Sequence, residues 1–234
     1  MPRLLPAPMN RPEQEGVIKF DLGFKQKPLP KELELAELIA WRALCHRLQL
    51  IGQNPVRYGG LGFGNISRKI DSSFLPENRF GGMLISGTQT GAAEYLNAEH
   101  FCLVTSYSVE QNRIVAEGPV KPSSEALTHA AVYRANDRIR FVIHGHCPEI
   151  WQATQKLAIP SIARSIAYGT PEMADAVGEL IAADRGRSAG LFSMLGHEDG
   201  IISYGNCADD AATLLVATLA RAIAAPRGRD SENS

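Results

Sequence analysis

The apolar positions of this 234-residue chain change their period several times. Over residues 33–50, Leu35, Ile39, Leu44 and Leu48 recur at roughly helical spacing, and Gly52 follows as a stop. The stretch from Tyr58 to Gly64 carries four glycines and runs into Asn65-Ile66-Ser67, which predicts a tight loop feeding a strand. Met83-Leu84-Ile85, Phe101-Cys102-Leu103-Val104 and Phe141-Val142-Ile143 are short apolar runs, the signature of buried strands. Ser124 to Ala135, just after Pro122, has the composition of a helix. Pro171 to Ala183 reads as a helix with proline at its first position and Thr170 as its cap. Two further strands, Leu191–Leu195 and Ile201–Tyr204, precede an alanine-rich closing helix over Ala208 to Ala224. Strands and helices mixed in one unbroken stretch predict a layered α/β sandwich, with no internal repeat and no linker.

The two ends differ from this pattern. Residues 1–31 hold Pro2, Pro6, Pro8, Pro12, Pro28 and Pro30. Proline fixes φ and removes a backbone donor, so an extended arm is expected there rather than a regular helix or central strand. The domain proper is expected over 32–224, and a loose polar tail over 225–234.

Composition narrows the function. With 44% hydrophobic and 21% charged residues the chain can bury a core. A formal net charge of −1 gives no electrostatic case for a nucleic-acid or membrane partner. The opening Met1–Pro6 lacks the apolar region of a signal peptide, and no apolar run reaches the ~18 residues of a membrane span. Cys45, Cys102, Cys147 and Cys207 form no CxxC pair. A cytoplasmic chain without disulfides is expected.

The sharpest local feature is His144-Gly145-His146 at the end of a predicted strand. Side chains two apart on a strand share a face, so two imidazoles converge there, as a divalent metal such as zinc requires. A hydrogen-bonded structural pair is the alternative. Of the other four histidines, His197 is the best-placed third ligand, because it ends the strand over 191–195. His129 and His100 are read as structural. Glu125 follows Ser123-Ser124 near a helix start, where the dipole favours a carboxylate. It is either a helix-start residue or a general acid/base beside the metal. Ser123 and Ser124 either cap the helix or offer hydroxyls and amides to a phosphate. The glycine-rich loops 62–65 and 86–91 are turns, or cradles for an anion.

In this order the motifs resemble the class II aldolase/adducin family, whose sugar-phosphate members include L-fuculose-phosphate aldolase and L-ribulose-5-phosphate 4-epimerase. The resemblance covers about residues 35 to 222. It rests on Gly64-Asn65-Ile66-Ser67, Met83-Leu84-Ile85 with Thr90-Gly91, Pro122-Ser123-Ser124-Glu125, His144-Gly145-His146, and His197 with Gly200. It implies a three-layer α/β/α sandwich around a mostly antiparallel central sheet. It implies His144, His146 and His197 as ligands of one divalent ion per chain, zinc first, with manganese or cobalt as alternatives. Glu125 would be the acid/base group, and Asn65, Thr90, Gly91, Ser123 and Ser124 would hold the substrate phosphate. The expected activity is that of a metal-dependent lyase of the aldolase type, cleaving a C–C bond of a phosphorylated sugar or a related hydroxy-carbonyl compound through a metal-stabilised enediolate. The alternatives are an epimerase, dehydratase or decarboxylase, or a non-catalytic adducin-like binding module. A homotetramer with sites between subunits is expected on the same ground.

Three features depart from the family pattern. Glu198-Asp199 intervene between His197 and its glycine, which puts a carboxylate within reach of the metal as an extra ligand or a substrate contact. Ser86-Gly87 before Thr88 shifts the phosphate loop by up to two residues. Cys147-Pro148-Glu149 follows the histidine pair, with Cys147 read as a packing residue. These departures bear on the substrate more than on the metal.

Overall fold

The computed structural model describes residues 16–71, 75, 81–183 and 187–225. Residues 1–15 of the expected arm and 226–234 of the expected tail lie outside the described residues. In chain order the elements begin with β1 (Asp21–Gln26), α1 (Ala36–Arg47), β2 (Gly52–Gln53), β3 (Gly62–Phe63), β4 (Asn65–Ile70) and β5 (Gly82–Ser86). Then come β6 (Phe101–Ser108), β7 (Arg113–Gly118), α2 (Ala126–Ala135), β8 (Phe141–His146) and α3 (Pro148–Gln152). The chain closes with β9 (Ser161–Ile162), α4 (Pro171–Ala183), β10 (Gly190–Met194), β11 (Gly200–Gly205) and α5 (Ala208–Ala224).

Nine strands form one mixed sheet in the order β1-β7-β6-β5-β4-β8-β11-β10-β9. The inner pairs are antiparallel, whereas β1–β7 and β10–β9 at the two edges are parallel. Alternation along the strands divides the apolar side chains between two cores. Met83, Ile85, Cys102, Val104 and Val142 join α2 and α4 in one core. Leu84, Leu103, Ile66, Phe141 and Ile143 join residues of α1, α3 and α5 in the other. Every residue of β8 and β11 is buried, which explains why these strands read as apolar runs rather than as alternating ones. Each fully buried aliphatic side chain of these cores contributes roughly 1.5–3 kcal/mol. No helix among the described residues is long and apolar enough to cross a membrane. All four cysteines are free, with Cys207 alone exposed.

Three local differences from the sequence reading have physical causes. The proline-rich stretch contributes a strand: residues 21–26 lie at the sheet edge, parallel to β7, where Pro28 and Pro30 fall beyond the ladder. Helix α1 is rotated from its leucine stripe. Leu44 and Leu48 are exposed, while Leu38, Arg42, Ala43 and Cys45 are buried. The short helix α3 begins at Pro148 and is too brief to show a period. By contrast, the Thr170 Oγ1 accepts from Met173 N at 3.2 Å and caps α4.

Candidate metal centre

The two imidazoles of β8 face the core beneath α2 and α4, while Ile143 and Gly145 face the opposite side. Gly64, just before β4, makes room for this strand. Its φ is +73°, and a Cβ there would sit 3.0 Å from the His144 carbonyl oxygen and 2.9 Å from Ile51. His197 arrives from the turn between β10 and β11, and its amide donates to the Met194 carbonyl at 3.0 Å. The three rings lie with centroids 4.7–5.2 Å apart. One ligand atom from each falls within 4.8 Å of the others, and all three residues are buried.

Their chemistry suits a cation. His144 Nδ1 lies 3.0 Å from the Ile201 carbonyl, to which its N–H donates. That fixes the tautomer and leaves the lone pair on Nε2. Nε2 is buried with no hydrogen-bond partner among the described residues. Burial, followed by the neighbouring His197, pushes His144 and His146 well below the ordinary imidazole range, so both are neutral. Neutral, buried and convergent imidazoles fit a divalent metal ion.

Glu125 stands at the start of α2 with its Oε1 3.7 Å from His197 Nδ1, and both side chains are almost fully buried. The sequence-predicted anion residues also come together. Asn65, Thr90, Gly91, Ser123 and Ser124 line one small cavity of ≈ 20 Å³ with Gly62, Gly87 and Gln89. A bridge between Gly87 and Pro122 brings the two segments together, and Thr88 N donates to the Lys121 carbonyl at 3.0 Å. The Ser86-Gly87 departure therefore leaves Thr90 and Gly91 at the cavity. As it stands the cavity has room for about one water. The Gln89 carboxamide reaches over it, with Oε1 accepting from Gly62 N at 3.3 Å.

Asp199 is not part of the histidine group. Its carboxylate accepts from the Tyr58 hydroxyl at 2.6 Å and pairs with Arg57 at 3.5 Å. Its φ of 58° is the left-handed conformation that aspartate tolerates. The Tyr58 ring packs edge-on against His146 at 4.5 Å, and Tyr168 stacks on His197 at 4.4 Å. Sequence reasoning misses Arg57, Tyr58 and Tyr168. Their signal is three-dimensional, since 142 positions separate Arg57 from Asp199. Cys147 packs as expected: it is buried, and burial pushes its thiol up to about 12.

His129 lies one helical turn beyond Glu125. Its Nδ1 meets the Ser67 hydroxyl at 2.7 Å, which meets the Tyr133 hydroxyl at 2.7 Å. His100 pairs with Asn97 around a turn. Burial lowers His129 from 6.5 to about 3. The folded chain thus keeps it neutral, while the unfolded chain takes up a proton as pH falls below 6.5. Stability present above 6.5 is therefore lost as pH falls towards 3. The expected slope is up to about 1.4 kcal/mol per pH unit for this group. Chemical denaturation near pH 7.5 and near pH 5 reads the loss; equal midpoints would contradict a neutral buried imidazole.

Residues 56–223 match the family described as Class II Aldolase and Adducin N-terminal domain. No functionally curated protein sequence matches the chain. Among solved structures, L-fuculose-1-phosphate aldolase from Thermus thermophilus is similar with TM-score 0.57 and 18% identity, covering 81% of this chain and 90% of that one. YgbL from Escherichia coli, a putative aldolase/epimerase/decarboxylase by its description, gives TM-score 0.58 at 17% identity, with 83% and 89% covered. A sugar-phosphate aldolase from Thermotoga maritima gives 0.55 at 18%, with 82% and 95% covered. At such identities the likeness is one of fold.

Proposed function

The chain belongs to the class II aldolase and adducin N-terminal domain family, and from that premise we propose that it is a metal-dependent aldolase-type lyase acting on a small hydroxy-carbonyl compound, a sugar phosphate first. The observation that carries the reading is the buried group of three histidines with Glu125 beside it. His144, His146 and His197 would hold one divalent ion per chain, zinc first. Bound there, a divalent ion would supply Lewis-acid stabilisation of the negative charge that develops on a substrate oxygen as the C–C bond breaks.

The remaining steps fall to the chain itself. Asn65, Thr90, Gly91, Ser123 and Ser124 hold the phosphate and so fix the distance from that end of the substrate to the reacting carbons. Gln89 swings off Gly62 to admit it. The Glu125 carboxylate takes a proton from the substrate at Oε1 and returns it to the carbanionic carbon after cleavage. Ile201, through its carbonyl, and Tyr168, through its ring, keep His144 and His197 in place. The walls of Tyr58, Phe63 and Tyr168 exclude water from around the histidines. Epimerisation, dehydration or decarboxylation would use the same parts. The intact set of histidines and Glu125 supports an enzyme over an adducin-like binding module.

The same reading takes the architecture as a three-layer α/β/α sandwich around a mostly antiparallel sheet. It divides the chain into an arm over 1–31, a domain over 32–224 and a tail over 225–234. It takes the protein as a cytoplasmic homotetramer. The test is proton exchange in ²H₂O, followed by NMR on hydroxy-carbonyl sugar phosphates with zinc-loaded protein. Zinc-dependent exchange next to the carbonyl, together with two carbonyl-containing fragments, is expected. No exchange on any phosphorylated or unphosphorylated hydroxy-carbonyl compound would overturn the reading.

A further inference from the structure

Arg42 is the largest fully buried side chain among the described residues, 1% exposed, on a helix whose sequence stripe predicts a different buried face. Among the described residues no carboxylate pairs with it. Both terminal nitrogens instead donate to backbone carbonyls of one loop. Nη2 donates to Thr90 O at 2.9 Å and Gly91 O at 3.1 Å, while Nη1 donates to Glu94 O at 3.0 Å and to Ala93 O. Burial lowers the guanidinium only to about 10, so it is charged at neutral pH. A buried cation satisfied by carbonyl dipoles alone leaves an uncompensated positive charge behind the loop.

The loop it grips is the wall of the small cavity. A trans peptide points its C=O and the next N–H in opposite directions. Tying the Thr90 and Gly91 carbonyls back to Arg42 therefore turns the Gly91 and Ala92 amides away from it. The backbone N–H groups of Gln89, Thr90 and Gly91 donate to no backbone acceptor among the described residues. Gly91 cannot carry a side chain here, because a Cβ would fall on the Gly52 carbonyl oxygen. Unsatisfied donors, no side-chain bulk and a positive charge behind them are the ingredients of an oxyanion site.

We infer that Arg42 is the positioning residue of the anion pocket: it ties back the Thr90 carbonyl so that the Gly91 amide faces the cavity, and its charge is offset by the phosphate bound there. The inference rests on the proposed sugar-phosphate reading, and assigns a role to a residue that does not itself touch substrate. It also explains why α1 turns an arginine rather than Leu44 and Leu48 inward.

The test uses inorganic phosphate as the probe on zinc-loaded protein, read by amide NMR and calorimetry beside Arg42→Met and Arg42→Lys. Wild type is expected to bind phosphate saturably, with the Gly91 amide moving. Arg42→Met is expected to weaken binding at least about tenfold with zinc content unchanged, and Arg42→Lys to recover part of the loss. Phosphate affinity equal to wild type in a folded Arg42→Met would overturn the inference. Should that variant not fold, the wild-type titration still decides. Saturation without movement of the Gly91 amide or the Arg42 side chain would overturn it. Proton exchange, measured separately, reads the failure of the function itself.

Discussion

Glu125→Gln is expected to lower kcat by roughly 10²–10⁴ while zinc content stays at the wild-type value. Glutamine has the same shape but cannot accept a proton at this position. The carboxylate is 1% exposed and 3.7 Å from His197, so water cannot take the place of a proton acceptor there. A KM close to wild type would place the loss in the proton-transfer step rather than in binding. Full turnover by metal-loaded Glu125→Gln would remove the acid/base role and leave Glu125 as a helix-start residue at α2.

The second large effect is expected from His144→Ala combined with His146→Ala. Replacing a group that merely orients a ligand costs roughly 10–100-fold in metal affinity, so deleting two ligands should exceed about 100-fold and abolish turnover. The loss should be specific. Both residues lie on β8, an inner strand of the sheet, whose backbone pairs with β4 and β11 are independent of the side chains. Circular dichroism should therefore stay that of the folded wild type while zinc titration becomes flat. Unchanged zinc affinity in the folded double variant would exclude this group as the site.

How far the chain can be read in advance follows from how local each signal is. Helix α5 is legible to the residue because its alanine-rich stretch starts and ends sharply. The histidine pair is legible because a strand fixes the face of residues two apart, and β8 is a strand over that whole span. His197 stands out by the scarcity of histidine and by its place at the end of a predicted strand. The Glu198-Asp199 extension is visible as a departure, but its contact is not. Asp199 meets Tyr58 and Arg57, which come from a turn far away in the chain. Strand β1 is hidden because an edge strand of mixed burial has no apolar signature, and its partner β7 lies 92 positions on. The inward face of α1 is hidden for a related reason. A guanidinium becomes a core residue only when carbonyls of a distant loop surround it, and nothing within the helix announces them.

The central claim is that this chain holds one catalytic divalent ion, and metal content tests it most directly. Purified protein, assayed by elemental analysis before and after incubation with zinc, manganese or cobalt and removal of excess, should carry about one ion per chain. No retained ion under any of these conditions would contradict the account and favour a non-catalytic module of the same fold.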